Sequence, residues 1–257
     1  MFRSTRLAVA AFPLVLLAAC SDSNDGAEST QPSTVTITVG AAASLTASFE
    51  KIGAAFSEAN PGITVQFSFG ASSDIARQIG EGAPIDVFAS ADSKNMDAVA
   101  AGAGIDGDPA VFATNSLQVI VGPGNPKGVR TLADLARKDV LVVACSPEVP
   151  IGRYTQQVLD AAGVVVTPVS LEENVKAIVA KVTLGEADAG VVYRTDVIAA
   201  GSKAEGVDIP ADVNVTASYP IAVLKASAAR AAAVDFVEFV LGEEGRAILR
   251  DAGFGGP

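Results

Sequence analysis

From residue 34 onward the chain alternates between two hydrophobic periods. Across 34–40, Val35, Ile37 and Val39 recur at every second position, which predicts a strand with one buried face. Across 44–60, Leu45, Phe49, Ile52 and Phe56 recur three or four apart, which predicts a helix stopped by Asn60-Pro61-Gly62. Strands are predicted next over 63–69 and 85–90. Helices are predicted from a Ser72 or Ser73 cap through residue 79, and over 93–101. An extended apolar run, 111–121, ends at Gly122-Pro123-Gly124-Asn125-Pro126.

A second series follows. It reads as a short helix over 131–137, a strand over 140–144 and a helix over 150–159 opened by Pro150, which suits a first turn. Strands over 164–169 and 189–193 flank a helix over 172–182. Residues 219–224 are extended, and helices over 228–241 and 243–251 close the chain. The alternation predicts an α/β fold with mostly parallel sheets. The length of 257 residues suits two lobes of about 100–140 residues each. Lobe I is expected over 34–114 and 217–257 and lobe II over 115–216, with the last two helices returning to lobe I.

The first residues read as a targeting segment. Arg3 and Arg6 precede an apolar run, 7–17, that is too short to span a bilayer but suits a signal peptide over 1–19. Leu17-Ala18-Ala19-Cys20 resembles a lipobox, in which Cys20 is lipidated and becomes the first mature residue; an ordinary small-residue cleavage site is the alternative. Residues 20–33 are then an anchored, flexible tether rich in Ser, Asp and Asn. The expected location is the outer face of the cell membrane, with the body exported and held by Cys20.

Composition narrows the chemistry. Hydrophobic residues make up 49% of the chain and charged residues 18%, enough apolar surface for a sizeable core. The net charge is -11, and -13 once Arg3 and Arg6 leave with the signal segment. That argues against nucleic acid and against a polybasic grip on lipid. The chain has no His, which removes Ser-His-Asp and Cys-His catalysis and His-ligated metal. Two Cys cannot build a zinc site, and with Cys20 as anchor only Cys145 remains, so no internal disulfide forms. Cys145 reads as a buried small hydrophobe.

Familiar catalytic motifs are out of context. Gly102-Ala103-Gly104-Ile105-Asp106-Gly107 follows a helix, whereas a dinucleotide loop follows a strand. Ser48-Phe49-Glu50-Lys51 lies inside the first helix with no KTG partner. Glu172-Glu173 and Glu243-Glu244 read as solvated first helical turns, and Arg153 and Arg194 as surface charge or anion contacts. The informative feature is the turns into helices at Ala41-Ala42-Ala43-Ser44-Leu45, Gly70-Ala71-Ser72-Ser73-Asp74 and Val149-Pro150-Ile151-Gly152. Helix N-termini offer free N–H groups and partial positive charge, and several aimed at one point bind an anion without a cation. Plain N-capping would also place Ser there.

These turns carry a resemblance. With Phe69 through Ile79, Gly82-Ala83-Pro84-Ile85-Asp86-Val87-Phe88-Ala89-Ser90-Ala91-Asp92, Arg153-Tyr154, Ala187 through Tyr193 and the ending Gly253-Phe254, the chain resembles the periplasmic molybdate-binding proteins of ABC importers over nearly all of 34–257. The resemblance implies a two-lobed type II periplasmic binding protein fold with a ligand cleft between the lobes. It implies a monomeric, non-catalytic receptor for molybdate, and for tungstate, that delivers its ligand to a membrane permease and ATPase. No cofactor and no directly ligated metal are implied, because the oxyanion is held through its oxygens. Carried over by position, Ser44 and Ser72 would each give a hydroxyl and a backbone N–H, Ile151 and Val175 a backbone N–H each, and Tyr193 its phenol. Ile151 stands where a smaller residue is common, and Asn174 where an acid is common.

The ligand class suits such a site. Molybdate is fully ionised near neutral pH and only accepts hydrogen bonds. Hydrogen phosphate would face a donor with its own proton, at a cost of about 1–3 kcal/mol. Sulfate is smaller and must be rejected by cavity size. The same fold binding sulfate, thiosulfate or phosphate is the alternative reading, and an anchored hydrolase a more distant one.

Overall fold

A computed structural model describes residues 34–257; the expected signal segment and Cys20 tether fall outside the described residues. The chain runs β1 (Val35–Ala42), α1 (Thr46–Ala59), β2 (Ile63–Gly70), α2 (Ser72–Gly80), β3 (Val87–Ala89), α3 (Ser93–Ala101) and β4 (Ala110–Val121). It continues through β5 (Val142–Cys145), α4 (Pro150–Ala161), β6 (Ser170–Glu172), α5 (Val175–Thr183), β7 (Ala189–Tyr193), α6 (Arg194–Ala200) and β8 (Glu205–Asp208). It closes with β9 (Thr216–Val223), α7 (Arg230–Leu241) and α8 (Glu243–Asp251).

The strands form a mixed sheet in the order β2-β1-β3-β9-β4-β7-β5-β6, with β8 also on β4. Pairing is parallel at the two ends, β2-β1-β3 and β7-β5-β6, and antiparallel where β9 and β4 meet their neighbours. The expectation of mostly parallel sheets therefore holds only at the ends. β4 is the reason. Its first part pairs with β9 as far as Ser116, and its second part pairs with β7 and β8 from Leu117 and Gln118 onward. One long strand thus joins two sets of α/β units, and β7 and β9 both meet it head to tail.

Two further expectations are corrected. Residues 164–169 are not a strand; Val165 and Val169 are exposed, and Pro168 has no N–H to give a ladder. The strand comes just after them, at β6, where Ser170–Glu172 pairs with Val143–Cys145. Glu172 accordingly ends a strand and accepts from Lys181 Nζ at 2.6 Å, while α5 begins only at Val175.

The core is continuous across the sheet. Phe49 and Phe56 of α1 meet Phe236 of α7 edge-on, with ring centroids 6.2 and 5.3 Å apart. Ile75, Phe88 and Met96 form a second cluster under α2 and α3. The end of the chain returns to β4: Thr114 and Gly255 exchange two backbone hydrogen bonds of 2.9 Å, and Phe254 packs on Tyr219.

Candidate functional site

Four helix beginnings converge on one small cavity. Ser44 lies in the 3-10 turn Ala43–Leu45 that leads into α1, and Ser72 is the first residue of α2. Ile151 is the second residue of α4 and Val175 the first of α5. All four line the cavity, as does Tyr193 at the end of β7. All five residues singled out in the sequence are thus brought together. The space within it, open mouth included, is about 240 Å3. Its size suits a compact inorganic ion. No residue lining it carries a charged side chain.

Local sequence decides which groups face the cavity. Pro150 opens α4 and has no N–H, so Ile151 supplies the first donor of that helix. Asn174 caps α5, and its Oδ1 accepts from the N–H groups of Lys176 and Ala177, which leaves Val175 the unclaimed donor at that end. Gly152 permits the approach of α4 to the preceding loop, because a Cβ there would run into the carbonyls of Ser146 and Cys145. At α2 the cap position is Ala71, not a serine. Ser72 instead accepts from Ala91 N at 3.0 Å, and its own hydroxyl hydrogen stays available to the cavity. The expectation of a serine cap at this helix is corrected accordingly.

Tyr193 is fully enclosed, and among the described residues its hydroxyl is the one buried side-chain polar atom without a hydrogen-bond partner. Burial, with smaller contributions from neighbouring Tyr219 and Tyr154, raises its phenol well above 10. The phenol is therefore a neutral donor throughout the physiological range. Its backbone N–H donates to Asp196 Oδ2 at 3.3 Å. Burial pushes the Asp196 carboxyl up, opposed by Lys176, whose Nζ lies 2.8 Å away.

The remaining aromatics and ions frame this pocket. The chain has three tyrosines, and they form one chain of edge-on rings, Tyr154 to Tyr193 at 6.5 Å and Tyr193 to Tyr219 at 5.8 Å. Tyr219 hydrogen-bonds Ser44, hydroxyl to hydroxyl, at 2.9 Å. Arg153 pairs with Asp92, which follows the lining residue Ala91, and Arg194 is exposed. Cys145 is buried in β5 outside the cavity, and burial pushes its thiol up to about 12. From the sequence, Tyr219 is only part of an extended segment and Arg153 is surface charge or an anion contact. The scarcity of tyrosine in a chain with no His or Trp was the available signal for Tyr219; nothing local marks the Asp92 partner of Arg153.

An anion fits such a lining. Hydroxyls and first-turn N–H groups all donate, and the helix ends add partial positive charge. No carboxylate or amine lines the cavity beside its hydroxyls, and among the described residues there is no cluster of three or more metal-ligating side chains.

Residues 37–255 match the bacterial extracellular solute-binding protein family. The molybdate-binding protein ModA of Mycobacterium tuberculosis (strain H37Rv) is 41% identical over 97% of this chain and 96% of its own length. A putative ABC transporter substrate-binding lipoprotein of Bacillus subtilis, YvgL, is 28% identical over 99% of both chains. Among solved structures, the periplasmic molybdate-binding protein of Azotobacter vinelandii superposes with a TM-score of 0.75 at 25% identity, covering 86% of this chain and 99% of that one.

Proposed function

Because this chain belongs to the bacterial extracellular solute-binding protein family, we propose that it is a receptor that captures molybdate outside the cytoplasm and hands it to an ABC importer. As a solute-binding protein it is not an enzyme, and it changes its ligand's location, not its bonds. The observation that carries the reading is the Tyr193 hydroxyl, buried and without a partner at the wall of a small cavity lined by neutral donors. A buried polar group left unpaired costs about 1–3 kcal/mol, which a bound oxyanion would recover.

In this reading Ser44, Ser72 and Tyr193 give hydroxyls, and Ile151 and Val175 give backbone N–H groups. Tungstate, with the same charge and shape, is a second ligand. The protein closes as two lobes, 34–114 with 217–257 and 115–216. The change of pairing partners along β4 at Ser116 and Leu117 supports that division. Cys20 carries a lipid anchor; the Leu17-Ala18-Ala19-Cys20 motif and the lipoprotein name of the Bacillus relative support it. A permease with its ATPase is the partner.

Calorimetric titration with molybdate, tungstate, sulfate and hydrogen phosphate tests the ligand. Molybdate and tungstate are expected to bind most tightly. Ser44→Ala and Ser72→Ala are each expected to weaken molybdate by about 1.5–3 kcal/mol, the scale of a hydrogen bond to a charged group. Wild-type affinity in both variants, or a preference for sulfate, would overturn the assignment.

A further inference from the structure

We propose that Tyr219 holds Ser44 as a one-way hydrogen-bond donor and thereby sets which oxyanions the cavity accepts. The proposal rests on the reading above, that Ser44 touches the ligand.

Ser44 Oγ and the Tyr219 hydroxyl lie 2.9 Å apart, and both are buried. Two hydroxyls in contact can order their protons in two ways. If Ser44 donates to Tyr219, Ser44 turns a lone pair to the cavity and repels an anion. If Tyr219 donates, the Ser44 hydrogen is left for the ligand.

The Tyr219 proton makes the choice. Among the described residues, Ser44 is the one hydrogen-bond partner of the Tyr219 hydroxyl. If Ser44 donated, the Tyr219 proton would be left buried with no acceptor, an unfavourable arrangement. Tyr219 therefore donates its single proton to Ser44. The tyrosine cannot swing away: its ring packs edge-on against Phe254 at 5.4 Å, Phe112 at 6.2 Å and Tyr193 at 5.8 Å. Tyr219 and Ser44 are thus a relay that ends in a donor.

The consequence is selectivity. An anion that keeps a proton, such as hydrogen phosphate, needs one acceptor in the wall, and a Ser44 held as a donor refuses it. Without the Tyr219 hydroxyl, Ser44 can turn either way, so a fully ionised anion loses affinity and a protonated one gains relative to it.

The test uses Tyr219→Phe, which keeps the ring, together with Ser44→Ala and the double variant, titrated with molybdate and with hydrogen phosphate at neutral pH. Tyr219→Phe is expected to weaken molybdate about tenfold and to narrow the gap between molybdate and phosphate. The double variant is expected to be no weaker than Ser44→Ala alone, because both changes remove the same donor. Independent, multiplying losses in the double variant would overturn the relay. So would a Tyr219→Phe protein that melts earlier with unchanged selectivity. If Ser44→Ala weakens molybdate while Tyr219→Phe does not, the relay fails and the site assignment stands. If Ser44→Ala itself binds as wild type, the site assignment fails and takes the relay with it.

Discussion

Arg153 and Asp92 form an ion pair that joins α4 to the cap of α3. The two Asp92 oxygens have separate tasks. Oδ1 caps α3 by accepting from Asn95 N at 2.9 Å, and Oδ2 takes the guanidinium. Arg153 also donates to the carbonyl of Glu148 at 2.6 Å, so it ties the loop that presents Ile151 to the opposite wall. Beside it the Tyr154 hydroxyl reaches the Ala91 carbonyl at 3.5 Å.

Removing Arg153 leaves a buried carboxylate without its cation. Arg153→Ala is therefore expected to weaken molybdate binding by about 1–3 kcal/mol, mainly through faster release. Calorimetry with a displacement assay for the dissociation rate checks this. Release as slow as in the wild type would mean that the pair does not hold the two walls together.

Tyr193→Phe should change stability and binding in opposite directions. The ligand-free protein loses an unpaired buried hydroxyl, so its melting temperature is expected to rise by about 2–4 °C for each kcal/mol recovered. The stabilisation that molybdate adds is expected to shrink. Melts with and without molybdate measure both. A variant that melts lower without ligand would show that the hydroxyl has a structural partner.

Alkaline pH is expected to destabilise the fold. Burial, then the nearby Glu172 and Asp196 charges, moves the Cys145 thiol from 9.0 up to about 12. Burial, with Asp92 adding and Arg153 opposing, moves the Tyr154 phenol from 10.0 up to about 12. The folded chain keeps protons that the unfolded chain releases. The contribution is complete below the unfolded values and is lost as pH rises through the folded ones. Urea melts between about pH 8 and 11 should show stability falling by up to about 1.4 kcal/mol per pH unit for each such group. Cys145→Ala should flatten the fall from pH 9.0 upward and Tyr154→Phe only from 10.0. Parallel slopes in wild type and Cys145→Ala would sink the thiol's part.

Cys20→Ser is expected to release the protein from the membrane fraction, because the lipidated side chain is gone. Metabolic labelling with a fatty acid should mark the wild type and not the variant. Equal membrane retention and equal labelling would overturn the anchor.

Much of the fold follows from hydrophobic period alone. Helix α3 and strand β7 occur where the pattern predicts them, because each buries a face through its own local spacing. The small-residue turns at Ser44, Ser72 and Ile151 were legible as helix beginnings for the same local reason. Other elements were not. Val164, Val165, Val166 and Val169 have the β-branched character of a strand, yet Val165 and Val169 face solvent and the ladder partner of β5 begins just after them, at Ser170. Helix α6 and strand β8 carried no local signal strong enough to be read.

The sequence by itself determined the alternation of strands and helices, the absence of His chemistry, and three small-residue turns, at Ser44, Ser72 and Ile151, that could offer donors; Val175 and Tyr193 came only with the family resemblance. The tertiary structure decided what those residues are free to do. Ser72 accepts from Ala91 N–H, 19 positions away, and Ser44 is hydrogen-bonded to Tyr219, 175 positions away. Arg153 becomes a clasp through Asp92, 61 positions away. Period and turn chemistry encode which face of an element is buried. They do not encode which distant hydroxyl, amide or carboxylate meets it, because that depends on the register along β4 that sets β7 against β9.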